Sequence, residues 1–184
     1  KESDHLFAPS LLWLMIGDRS PTRISKPLRR LERKGIEVIQ GEIRELNPEK
    51  RLIQVNSKII TADAIIIALG ADYAPQKIPG LLEAGHNAYT LKGATDIRDA
   101  VKVFKGGRIV ILTAASVYKC PAAPYEAAML IEYHCRRLGI RDKTQIEIYA
   151  AEPGPMGTAG PEVSKQVRQM VESKGITYHP SHQV

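Results

Sequence analysis

The chain has 184 residues, 43% hydrophobic and 25% charged, with a formal net charge of +6 and a pI near 9.3. That is globular composition, enough for one large domain or two small ones. Aromatics at 5% argue against base-stacking platforms, and the basic balance favours an anionic partner such as a phosphate cofactor, a nucleic acid or a membrane surface.

In chain order, "HLFAPSLLWLMIGDRSP" opens with a short apolar segment. Residues 11–16 fall far short of a membrane-spanning helix and read as lining for the core or a cofactor pocket. "SPTRISKPLRRLERKG" follows, with Ser20 as N-cap, Pro21 at the first helical position and Gly35 as the stop. Ile24, Leu28 and Leu31 keep helical spacing, and Arg23, Lys26, Arg29, Arg30, Arg33 and Lys34 fill the rest. This predicts an amphipathic helix, kinked at Pro27, with a solvated basic face. An anion- or membrane-facing role for that face stays open.

"IEVIQGEIREL", "RLIQVN" and "KIITAD" alternate, with turns at Asn47-Pro48 and Asn56-Ser57, and predict a small antiparallel meander. "DAIIIALGA" is unbroken apolar sequence and predicts a strand buried on both faces. A Pro-rich crossing and a helix with Ile97, Ala100, Val101 and Phe104 come next. From Gly106 the pattern alternates: strand "RIVILTA", a helix from Pro121 to Leu138, strand "QIEIYAA", helix "EVSKQVRQMVESKG" and strand "ITYH". Such alternation implies right-handed crossovers and a parallel sheet. The fold class is therefore α/β, with a domain boundary in the linker around residues 80–93, dividing 1–80 from 81–184.

In an open parallel sheet, ligands bind beyond the carboxyl ends of the strands, and a dinucleotide there wants Gly-x-Gly-x-x-Gly. Here the first strand–helix turn reads "LTAASVYKCPAAPYE", with no glycine. This argues against an ordinary NAD(P) site. With Pro121 as first helical residue, Cys120 becomes the N-cap. The helix N-terminus and Lys119 both favour thiolate over thiol. Glu126 would supply an acid/base group and Tyr125 a hydrogen bond. A buried, inert cysteine is the competing reading. Cys135 sits mid-helix with no motif around it and reads as inert. Along one helix the two cysteines lie roughly 22 Å apart, too far for a disulfide. The five histidines form no metal pattern, and "GPMGTAGPE" lacks the Lys-Ser/Thr of a P-loop.

"HLFAPSLLW", "ADAIIIALGADYAP", "IPGLLEAGHNAYTL" and "YKCPAAPYEAAMLIEYHCRRLGIRDK" together resemble the sulfide:quinone oxidoreductases and the flavoprotein subunit of flavocytochrome c sulfide dehydrogenase. The resemblance implies part of an FAD-binding Rossmann-like domain over 1–80. Over 81–184 it implies part of an NAD(P)-binding-like domain carrying a redox cysteine. FAD is the implied cofactor, approached by Ala68, Leu69, Gly70 and Ala71, with Ile43 beside the adenine and Pro9 near the flavin. Cys120 matches the first redox cysteine, and its partner would lie outside this chain. Sulfide or polysulfide is the implied substrate and quinone or a cytochrome the acceptor. The implied location is cytoplasmic or peripheral on a membrane, with no nucleic acid partner. The abrupt ends "KESDH" and "SHQV" read as those of a piece of a longer protein. Two other readings remain: an NAD(P)H-dependent flavin reductase such as a type II NADH dehydrogenase, and a folded, non-catalytic fragment.

Overall fold

The computed structural model describes residues 2–184. Contacts divide them into two compact units. One holds the segment up to Leu6 together with Ser25–Ala74, and the other holds Phe7–Ile24 together with Pro75–Val184.

In the first unit, β1 (Asp4–Leu6) pairs antiparallel with β2 (Ser25–Pro27). The predicted meander is present as β3 (Ile43–Asn47), β4 (Leu52–Val55) and β5 (Lys58–Thr61), with β4 central. Its turns have local causes. The Asn47 side chain accepts from the Lys50 N–H at 2.9 Å. Asn56 takes φ +52°, the left-handed geometry that a two-residue hairpin requires. Gly41 is needed where it stands, since a Cβ there would meet Val55 at 2.5 Å.

Two sequence expectations fail in this unit and at its edge. The basic segment is not one helix. A single turn, Pro21–Ile24, gives way to β2 and then to a 3-10 run over Leu28–Lys34, closed by Gly35 at φ +77°. Pro27 removes a backbone donor and clashes with a continuing helix, so the chain breaks there rather than bending. "DAIIIALGA" forms no strand either: residues 64–71 lie in no regular element. Ile66 is 91% exposed and Leu69 81%. Apolar composition suits a buried strand, but a strand also needs ladder partners, and none pairs with this segment among the described residues.

The second unit carries α1 (Leu11–Met15), α2 (Pro21–Ile24), α3 (Leu81–Ala84) and α4 (Leu91–Val103). Then come β6 (Gly107–Thr113), α5 (Ala123–Arg137), β7 (Thr144–Ala150), α6 (Pro161–Glu172) and β8 (Thr177–His179). The early apolar segment is core: Leu11, Leu12, Leu14 and Met15 are buried in α1. α1 packs on α4 and α5. Thr90 caps α4 by accepting from the Gly93 N–H at 3.0 Å.

β6, β7 and β8 form a parallel sheet in that order, with β7 central. Ile146, Ile148 and Ala150 are at most 1% exposed. α5 turns Ala123, Ala127, Ala128, Ile131 and Cys135 inward along one stripe. It stops in a Schellman motif: Gly139 takes φ +67°, and the Ile140 N–H bonds back to the Cys135 carbonyl at 3.0 Å. The sequence pattern of "RIVILTA" suits a buried strand, but β6 lies at the edge of this sheet, with Val110 half exposed. Among the described residues no helix is long and apolar enough to cross a membrane.

Candidate active site at the carboxyl ends of the parallel strands

β6 ends at Thr113 and β7 at Ala150, and the loop from 114 to 122 crosses from β6 into α5. Cys120 lies in this loop, exposed, with its thiol free. It is not the N-cap of α5. Ala122 holds that position and Pro124 falls in the first turn. The chain carries two prolines that suit a helix start, and the second is the one used. Cys120 instead opens a tight turn. Its carbonyl accepts from the Ala123 N–H at 3.0 Å, and its φ is +58°. A non-glycine residue rarely holds that backbone, and it persists only where its surroundings fix it.

Lys119 is exposed beside the cysteine. Glu126 is half-buried in the first turn of α5, where its N–H donates to the Ala122 carbonyl. Among the described residues no side-chain hydrogen bond joins Glu126 to Cys120. Tyr125 does make a hydrogen bond, but not toward the thiol. Its hydroxyl donates to Glu152 at 2.5 Å.

Glu152, which sequence reasoning overlooked, is the centre of the cluster. Only 7% exposed, it follows β7 by two residues. Oε1 accepts from Tyr118 as well as Tyr125, at 2.5 Å each. Oε2 accepts from the Thr113 hydroxyl at 2.8 Å. Thr113 Oγ1 accepts in turn from the Ala151 N–H at 3.0 Å, which closes a ring across the strand ends. Burial, and then the bond to Glu152, pushes both tyrosine hydroxyls well above their ordinary titration range. Tyr178 lies beside Tyr125, ring centroids 6.1 Å apart. The signal for Glu152 was present: an acidic residue ending the second strand of a βαβ unit is where a dinucleotide ribose is held.

The second cysteine is a core residue. Cys135 is 0% exposed, and burial pushes its thiol up. His179 lies on the sheet, 3.3 Å from Glu147 and stacked on Tyr149, with His182 edge-on to both rings. Among the described residues no group of three or more His, Cys, Asp or Glu could hold a metal ion.

The cofactor positions read from the sequence are divided between the two units. Pro9 is exposed in a 3-10 turn of the second. Ile43 is 53% exposed at the start of β3 in the first. Ala68–Ala71 are exposed there too, in no regular element. At Gly70, with φ +75°, a Cβ would meet no atom within 4 Å.

The pyridine nucleotide-disulphide oxidoreductase family signature matches residues 7–184. The mitochondrial sulfide:quinone oxidoreductase of Mus musculus is 34% identical over 119 residues, 61% of this chain and 26% of that protein. The sulfide-quinone reductase of Aquifex aeolicus is 26% identical over 171 residues, 88% and 38% of the two chains. The crystal structure of the Aquifex aeolicus sulfide:quinone oxidoreductase superposes with a TM-score of 0.72 at 22% identity, covering 98% of this chain and 43% of that one. The NDH2 structure from Plasmodium falciparum in complex with NADH gives 0.68 at 16%, covering 100% and 43%. The chain thus spans between a quarter and two-fifths of the curated relatives it matches. These relatives bear out the resemblance read from the sequence, and the structural neighbours share the α/β fold. The chain belongs to the pyridine nucleotide-disulphide oxidoreductase family.

Proposed function

We propose that this chain is part of an FAD-dependent oxidoreductase that oxidises sulfide through Cys120 and passes the electrons to a quinone or a cytochrome. One observation carries the reading. The loop where a dinucleotide fold keeps its phosphate-binding glycines presents an exposed thiol on a fixed turn instead. In this reading sulfide attacks a disulfide between Cys120 and a second cysteine of the whole protein: the S–S bond breaks, one sulfur takes the sulfide sulfur as a persulfide and the other leaves as the thiolate that FAD, when bound, would reoxidise, with Lys119 the adjacent positive charge and Glu126 the acid/base group. Residues 1–80 then belong to the FAD-binding part and 81–184 to the part carrying the redox cysteine.

The backbone of Ala68, Leu69, Gly70 and Ala71, with Ile43 and Pro9, would contribute to holding FAD. Bound there, FAD would supply a two-electron acceptor for the thiol. The chain's own task is to hold the Cys120 sulfur in the open and to leave no glycine cradle for a competing nicotinamide dinucleotide. The exposed basic residues of 23–34 suit docking at an anionic membrane surface, as a quinone acceptor would require.

The test uses the flavin-loaded protein containing this chain. Cys120→Ser abolishes sulfide-dependent bleaching of the flavin band, and Cys135→Ser leaves it near normal. Equal loss in both variants overturns the assignment. Bleaching by NADH at a comparable rate favours the flavin-reductase reading.

A further inference from the structure

Glu152 occupies the place where a dinucleotide fold holds the ribose, yet its carboxylate is turned onto the chain's own hydroxyls. A ribose diol there would have to displace a tyrosine, leaving a buried hydroxyl without a partner. The carboxylate therefore serves something else, and the three donors say what. Thr113 ends β6, Tyr125 stands in the first turn of α5, and Tyr118 lies in the loop two residues before the thiol. Only Tyr118 belongs to the irregular segment. Its single hydroxyl proton goes to Glu152 at 2.5 Å, the Pro121 carbonyl being the longer alternative at 3.4 Å. The other two bonds fix the carboxylate itself.

We infer that Glu152 is a positioning residue for Cys120: through Tyr118 it ties the cysteine turn to the end of β7 and holds the thiol on its left-handed backbone. This rests on the redox role of Cys120 proposed above. The turn needs such a tie. A non-glycine residue at φ +58° relaxes unless its flanks are fixed, and the loop from 114 to 117 has no regular structure of its own. Downstream, α5 fixes one flank with its own ladder and buried stripe. Upstream, the Tyr118–Glu152 bond fixes the other.

The test compares hydroxyl deletions in the full chain, by amide exchange of residues 117–122 and by peptide-resolved alkylation of Cys120 with iodoacetamide. Tyr118→Phe raises exchange of that segment about tenfold, the change in a local opening equilibrium when a charge-assisted hydrogen bond is lost. The alkylation rate of Cys120 changes with it. Glu152→Gln, with one oxygen left to serve three donors, frees the same segment, and the double variant adds little to either single. Tyr125→Phe is the control. It removes a hydroxyl from the same oxygen at an equally short distance and a more buried site, so it costs at least as much global stability. It leaves the turn as in the parent chain, because α5 holds itself.

Unchanged exchange in Tyr118→Phe overturns the proposal. So does a Tyr125→Phe variant that frees the turn equally, since the cluster would then act only on overall stability. Neither readout uses flavin or sulfide. Failure here leaves the redox role of Cys120 standing, and a Cys120→Ser protein that still oxidises sulfide removes that role while the tie remains measurable.

Discussion

Replacing Arg141 tests whether one guanidinium staples the foot of the parallel sheet. Its Nη1 donates to the Thr144 carbonyl at 2.7 Å, and Nη2 donates to the carbonyls of Lys174 and Gly175 at 2.9 and 2.8 Å. Nε lies 3.5 Å from the buried Glu132 carboxylate. One side chain thus joins the start of β7, the turn before β8 and a carboxylate on α5. Three bonds from a charged donor are worth ~1.5 kcal/mol or more apiece when buried. The side chain keeps 22% exposure, so water replaces part of this. The expected cost of Arg141→Met is about 3 kcal/mol. Arg141→Lys recovers at most about 1 kcal/mol, because an ammonium lacks the planar fork that reaches three carbonyls and a carboxylate together. Urea unfolding followed by far-ultraviolet circular dichroism measures both, with the m-value as a check that the unfolded state is unchanged. A Met variant within about 0.5 kcal/mol of the parent, or full recovery by Lys, refutes the reasoning.

N-ethylmaleimide should label Cys120 in the folded chain and spare Cys135, by about a thousandfold, since the latter reacts only after α5 opens; comparable labelling contradicts the burial. The hydrogen bond from Arg108, and then that from His179, holds the Glu147 carboxyl below its ordinary value of 4.5. Its contribution to stability is present above pH 4.5 and is lost as pH falls through the lower folded value. The stability difference between parent and Glu147→Gln should therefore shrink toward acid in unfolding curves between pH 3 and 6, and a constant difference refutes it. Both ring nitrogens of His134 are buried without hydrogen-bond partners among the described residues, and burial lowers its pKa. His134→Leu should stabilise the chain by about 1 kcal/mol and flatten the loss of stability as pH drops through 6.5. Ile148→Ala, at 0% exposure on the central strand, should cost about 3 kcal/mol, and Val110→Ala on the open face of β6 under about 1 kcal/mol.

Elements whose causes are local were legible in the sequence. Asn47-Pro48 and Asn56-Ser57 marked the meander turns, and the alternation from Gly106 onward gave three parallel strands and two helices close to their observed bounds. Elements that depend on distant partners were not. Residues 64–71 have the composition of a buried strand but no ladder beside them among the described residues. The basic run has helical spacing, and spacing carries no information on whether Pro27 bends a helix or ends it. At the site, Cys120 stood out by residue type, whereas its backbone depended on which of two prolines entered α5. Glu152 was readable as a position, but the direction of its side chain was set by Thr113, Tyr118 and Tyr125, two of them more than thirty residues away.

On the redox role proposed for Cys120, its left-handed backbone sets stability against chemistry at a single position. Glycine occupies that conformation without the ~1 kcal/mol that a side chain costs there. Drift toward stability alone therefore favours Cys120→Gly, the very residue type a phosphate loop would use. A chain that keeps sulfur at 120 gives up stability for it, and lineages released from the need for a thiol should lose it first to glycine.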